Sequence, residues 1–207
     1  MKKIAFLSII FNFLFLIQNP LTAGELKISI GNSESLSSYK KAYFAGGCFW
    51  CMEESYDQVD GVLSSISGYS GGHLKNPKYE DVIYKDTGHV EVIEVTYNPL
   101  VVSYKDLLNV YWKNIDPFDA SGQFCDKGKS YRSVIFFENN SQKELIDQSF
   151  KEIEKKFDKK IVTLVWKFDI FYPAENYHQD YYEKNFIRYL MYKNACKREE
   201  TLKKIWN

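Results

Sequence analysis

Residues 40–57 read KKAYFAGGCFWCMEESYD, and the fold turns on how that stretch is read. Lys41–Gly46 has the character of a short strand that runs into Gly46-Gly47. Two glycines let a chain turn tightly, because neither carries a Cβ that would clash. The segment from Cys48 to about Asp57 then reads as a helix. Downstream, Val62–Tyr69 alternates apolar with small or polar residues, as a half-buried strand does. His89–Tyr97 reads as another strand. In Ser103–Lys113, Tyr104, Leu107, Leu108, Tyr111 and Trp112 share one helical face, and Ser103 with Asp106 gives a capping signal. Arg132–Glu138 predicts a strand, and Ser141 to about Phe157 a second capped helix with Ile146, Phe150, Ile153 and Phe157 in one stripe. Ile161–Trp166 predicts a last strand. The order is β-α-β-β-α-β, then α and β. It predicts an α+β two-layer sandwich with a ferredoxin-like split βαβ core. The loops 70–88 and 114–131 are long and polar, and such loops in a compact domain usually carry function.

Composition agrees with a folded domain. Of 207 residues, 45% are hydrophobic and 26% charged, enough chain for a substantial core. The aromatic share of 17% is read first as core material. Net charge is zero and no basic stripe stands out, which argues against a nucleic-acid partner. The first 23 residues stand apart. Lys2 and Lys3 precede an almost wholly apolar run, Ile4–Ile17, and Leu21-Thr22-Ala23 ends in a small residue. This predicts a signal peptide, residues 1–23, cleaved after Ala23. A membrane anchor is the alternative, but the run is short of the roughly 20 residues that a spanning helix needs. Cleavage would leave 25 basic and 27 acidic residues. Residues 24–39 are polar and Ser-rich, as a tether would be, and 40–207 form the domain. The expectation is an exported, periplasmic protein. It is a monomer by default, since no heptad pattern points to assembly.

The chemistry concentrates at Gly46-Gly47-Cys48-Phe49-Trp50-Cys51. Cys48 falls at a helix N-terminus, where free N–H groups and the dipole are expected to lower a thiol pKa. Cys51 follows at i+3, within reach for exchange. The plainer reading is a structural disulfide or two buried thiols. A C-x-x-C pair also fits half of a zinc site, but Cys125, Cys196 and three His show no second paired spacing, so no metal is expected. Glu91 shares a strand face with Ile93, Val95 and Tyr97. A carboxyl there faces an apolar layer, and burial would keep it protonated. His89 reads as a turn residue rather than a base.

Further signatures follow in order: Gly68-Tyr69-Ser70-Gly71-Gly72, Asn76-Pro77-Lys78-Tyr79, Thr87-Gly88-His89-Val90-Glu91 and Asp126-Lys127-Gly128-Lys129-Ser130-Tyr131-Arg132. Together with the first, and with Ala174-Glu175-Asn176-Tyr177-His178-Gln179, they resemble the peptide-methionine (S)-S-oxide reductases, the A-type enzymes. The resemblance implies that Cys48 attacks the sulfoxide sulfur and that Glu91 protonates its oxygen. It implies that Tyr79 and Tyr131 hydrogen-bond that oxygen, with Asp126 nearby, and that Phe49 and Trp50 enclose the S-methyl group. The product would be a Cys48 sulfenic acid, which a second thiol converts to a disulfide. Many relatives use cysteines in a Gly-rich C-terminal tail for this. Here the chain ends in a charged segment from Lys197, and Phe186 stands where relatives often carry Pro. Cys51 ranks first as resolving thiol, Cys196 second on the assumption of a flexible end, and Cys125 third. A thioredoxin-like dithiol protein or a membrane thiol relay would restore the enzyme, with no other cofactor. Two other readings stay open at this point: a thioredoxin-like disulfide oxidoreductase, and a non-catalytic exported binding domain with locked cysteines.

Overall fold

In a computed structural model of the chain, residues 39–207 are described. The expected leader, and the expected tether save its last residue, lie outside them. Strand β1 (Lys40–Gly46) leads through Gly47 and Cys48 into α1 (Phe49–Asp57), followed by β2 (Val62–Ser70). Then come α2 (Tyr79–Tyr84), β3 (Val90–Tyr97), α3 (Tyr104–Lys113) and a two-residue hairpin, β4 (Gly122–Gln123) with β5 (Asp126–Lys127). A 3₁₀ turn (Lys129–Tyr131) precedes β6 (Ser133–Phe137), α4 (Asn140–Phe157), β7 (Leu164–Lys167) and β8 (Phe171–Pro173). Three helices close the chain: α5 (Tyr181–Lys184), α6 (Phe186–Ala195) and α7 (Arg198–Trp206).

The sheet order is β7-β6-β1-β3-β2-β8. Strand β3 lies between β1 and β2 and is antiparallel to both, and β6 is antiparallel to β1. This is the expected split βαβ core. Strand β7 extends it by a parallel pairing with β6, reached through α4, and β8 extends the other edge beside β2. Alternation along the strands makes two apolar faces. Phe44, Ile93, Val95 and Ile135 meet Phe49, Met52 and Tyr56 of α1, Leu107, Leu108, Tyr111 and Trp112 of α3, and Ile146 of α4. On the opposite face, Tyr43, Val90, Val92, Val134 and Phe136 pack under Trp166, Phe168 and Phe171. Each large apolar side chain so buried stabilises the fold by about 1.5–3 kcal/mol.

Local signals explain most element ends. The Ser103 hydroxyl accepts from the Asp106 N–H at 3.2 Å, and the Asp106 carboxylate accepts from the Ser103 N–H at 3.1 Å, which is the expected capping box. Helix α4 is capped instead by Asn139, whose Oδ1 accepts from the Gln142 N–H at 3.0 Å, so it begins one residue earlier than expected. Three expectations need correction. Loop 70–88 contains α2, and loop 114–131 contains the β4–β5 hairpin and the 3₁₀ turn. The C-terminal segment is not a free end. Buried Arg198 donates through Nη2 to the Asn114 carbonyl at 2.5 Å, and the Trp206 indole donates to the Ile115 carbonyl at 3.2 Å. Cys196, at the end of α6, is joined to Cys125 in a disulfide.

Candidate active site

Gly47 has φ +79°, and a Cβ there would run into the Gln123 side chain. A non-glycine residue would therefore meet both backbone strain and a clash. The turn sets Cys48 as the N-cap of α1, with its carbonyl accepting from the Cys51 N–H at 3.2 Å. The next N–H, that of Phe49, donates to Glu91 Oε2 at 2.9 Å. One free donor of the helix N-terminus is thus spent on the carboxyl of β3, three strand positions from its neighbour Glu94.

Cys48, Phe49, Trp50, Tyr79, Glu91, Asp126, Tyr131 and Tyr192 surround one cavity of ≈ 90 Å³. All seven catalytic and substrate-binding candidates read from the sequence therefore meet at one point. That volume is far below the roughly 300–1,000 Å³ that engulfs a whole small ligand. The end of one side chain fits it.

Burial sets the proton states. Glu91 is 3% exposed, and its carboxyl is pushed well above the usual range by desolvation, against the opposing pull of the Phe49 N–H. It holds a proton at pH values where an exposed carboxyl has lost one. Burial likewise pushes the Tyr79 phenol up to about 12 and the Tyr131 phenol higher still, so both are neutral donors. For Cys48 the expectation of a lowered pKa fails. Desolvation pushes this thiol up, with the Cys51 contact and the nearby Glu91 and Asp126 adding to the effect. The Cys51 thiol is instead pulled down to about 7, first by its hydrogen bond with Cys48. Both residues are buried in one cluster, and neither is in a disulfide.

Several supports were missed by sequence reading. The Tyr192 phenol donates to Asp126 Oδ2 at 2.5 Å and its ring meets Trp50 edge-on. Trp50 stacks on Tyr181 with centroids 3.8 Å apart, and its indole donates to His178 Nδ1 at 3.2 Å. His178 can accept because burial lowers its pKa to about 4, leaving it neutral. Glu175 receives the Tyr79 N–H and the Tyr69 phenol, each at 2.9 Å, and so ties the start of α2 to β2. Glu175 and His178 lie in the quoted Ala174–Gln179 signature, which was the available signal. Tyr192 had none, because its role depends on how α6 docks. His89 is structural, as expected: its Nδ1 accepts from the Gly72 N–H at 3.1 Å and its Nε2 lies 2.8 Å from the Leu74 carbonyl.

Comparison with known proteins bears on this arrangement directly. The family model described as "Peptide methionine sulfoxide reductase" matches residues 40–207. A Streptococcus agalactiae protein described as peptide methionine sulfoxide reductase MsrA is 45% identical over 170 residues, covering 81% of this chain and 99% of its own length. Among solved structures, reduced Mxr1 from Saccharomyces cerevisiae superposes with a TM-score of 0.68 at 32% identity, over 73% of this chain and 88% of its own. Mxr1 solved in complex with Trx2 gives a TM-score of 0.50 at 27% identity, over 71% and 87%. A buried thiol, a protonated carboxyl and two phenols around one aromatic-walled cavity are thus set in a matching sequence and fold, and the chain belongs to the peptide methionine sulfoxide reductase family.

Proposed function

We propose that this chain reduces the S epimer of methionine sulfoxide, free or in proteins, to methionine. The observation that carries this is the convergence of Cys48, Glu91, Tyr79 and Tyr131 on a cavity sized for one side-chain tip. The methyl group meets Phe49 and Trp50, and the sulfoxide oxygen takes hydrogen bonds from the two phenols. A sulfoxide oxygen is a poor leaving group until protonated, and Glu91 supplies that proton. The Cys48 sulfur bonds to the substrate sulfur as its own proton is released. Oxygen passes to Cys48, methionine departs, and Cys48 is left as a sulfenic acid.

Cys51 resolves that acid. Its thiol displaces the hydroxyl as water and forms a Cys48–Cys51 disulfide. Two observations support this choice: Cys48 and Cys51 share one buried cluster in the first turn of α1, and Cys125 and Cys196 are already joined to each other. A thioredoxin-type dithiol protein then reduces the disulfide by exchange, a reading that the Mxr1–Trx2 complex supports. We further propose export through the leader 1–23, a tether over 24–39 and action as a monomer; the apolar run Ile4–Ile17 supports the first.

Cys51→Ser tests the scheme. Without reductant, the variant is expected to form about one methionine per active molecule, by a single oxidation of Cys48. Turnover with a thioredoxin-type donor is expected to be lost. Undiminished turnover would mean that another thiol resolves.

A further inference from the structure

The geometry points to a separate entrance for the electron donor. The donor's thiol attacks Cys51 through a cleft between α1 and α7, whereas the sulfoxide meets Cys48 in the reaction cavity. The inference rests on the resolving role of Cys51 proposed above and places the donor's point of attack.

The two thiols open to different spaces. Cys48 lines the reaction cavity of ≈ 90 Å³, and Cys51 lines a second cleft of ≈ 220 Å³. Helix α1 supplies one wall through Cys51, Glu54 and Gln58, which at i, i+3 and i+7 share a helix face. Arg198 and Leu202 of α7, at i and i+4, form the other wall, and Lys193 of α6 joins them. Burial falls along the α1 wall: Cys51 is 2% exposed, Glu54 is half-buried and Gln58 is exposed. The thiol thus lies at the floor and Gln58 at the mouth. A cleft of this size is below the roughly 300–1,000 Å³ of a site for a whole small ligand. It admits a projecting cysteine, and the rest of a dithiol protein stays on the rim.

Arg198 equips the cleft for thiol exchange. It is buried, and its Nη2 donates to the Asn114 carbonyl. Its Nη1 is also buried and has no hydrogen-bond partner among the described residues. A thiolate formed at Cys51 gives that charged donor a counter-ion. The Cys51 thiol is already held low, first by its hydrogen bond with Cys48 and then, against desolvation, by the Arg198 charge.

The exchange runs in two steps. The donor's first thiolate bonds to Cys51 Sγ, the Cys48–Cys51 bond breaks, and Cys48 leaves as a thiolate. The donor's second thiolate then attacks the donor's own first sulfur and releases Cys51 as a thiolate beside Arg198. A low thiol pKa speeds that departure. The donor ends as a disulfide, and its two protons end on Cys48 and Cys51.

The test starts from the full chain oxidised by one turnover with a methionine sulfoxide peptide, with no reductant present. A thioredoxin whose second active cysteine is replaced by serine is then added, and freed thiols are alkylated. Fragment-ion sequencing is expected to find the thioredoxin on Cys51 and the alkyl group on Cys48. Thioredoxin on Cys48, Cys125 or Cys196 would overturn the inference. Gln58→Trp, which plugs the mouth, is expected to slow reduction by intact thioredoxin about tenfold, while the preparatory turnover keeps its rate. Gln58→Ala is expected to match the parent in both steps. Reduction unslowed in Gln58→Trp would overturn the inference, and so would equal slowing of the preparatory turnover. No methionine formed in that turnover by folded, reduced parent chain would instead overturn the reductase reading itself.

Discussion

Glu91 does two things at once because of where β3 carries it. It caps the start of α1 by accepting the Phe49 N–H, and it faces the reaction cavity. The protonated form is the working one, and burial raises the pH at which it is lost. The expected kcat/KM is therefore level at low pH and falls as pH rises through that raised value. Glu91→Gln is expected to lose about 10²–10⁴-fold in kcat/KM and to lack the alkaline fall. A variant that kept the fall would assign it to another group. The face of Glu91 was legible from its alternation with Ile93, Val95 and Tyr97. The state of Cys48 was not. Sequence places a thiol at a helix N-terminus, but not the diversion of the Phe49 N–H to Glu91, nor the packing of Cys48 and Cys51 with Tyr189 and the partly buried Trp50, Tyr181 and Tyr192.

At the scale of elements, the β1–Gly–Gly–α1 join holds the nucleophile in place. Gly47→Ala forces a positive φ on a residue with a side chain and drives its Cβ into Gln123. The expected cost is about 1–3 kcal/mol, read as a lower denaturant midpoint and accompanied by lost activity as Cys48 shifts. A change below about 0.5 kcal/mol, the usual range for neutral surface substitutions, would contradict this account. Long elements were readable because periodicity needs length. Helices α3 and α4 and strands β2 and β3 were all found. Helix α2 has six residues, α5 four, and β4 and β5 two each, too few for a period of 3.6 or 2 to declare itself. Each is instead fixed by tertiary partners, as Glu175 fixes the start of α2.

Across the whole molecule, the βαββαβ order sufficed to anticipate the central four strands, since antiparallel neighbours and a split crossover leave few alternatives. Edge strand β7 was anticipated as Ile161–Trp166, begun three residues early; edge strand β8 and the C-terminal helices were not legible, because they add to surfaces that the core creates. Arg198 shows how tightly that added layer is joined: it brings a guanidinium to the carbonyls of Gly46, at the end of β1, and Asn114, beyond α3. Arg198→Met is expected to cost about 1–3 kcal/mol through carbonyls left without a donor, measured by denaturant unfolding; an unchanged midpoint would show that the contacts carry no stability. The central claim is most directly tested by following both epimers of a methionine sulfoxide peptide with dithiothreitol, using the parent chain and Cys48→Ser. Consumption of the S epimer alone, abolished in Cys48→Ser, is the expected result. Consumption of neither epimer by folded, reduced protein, or activity that survives the loss of Cys48, would contradict it.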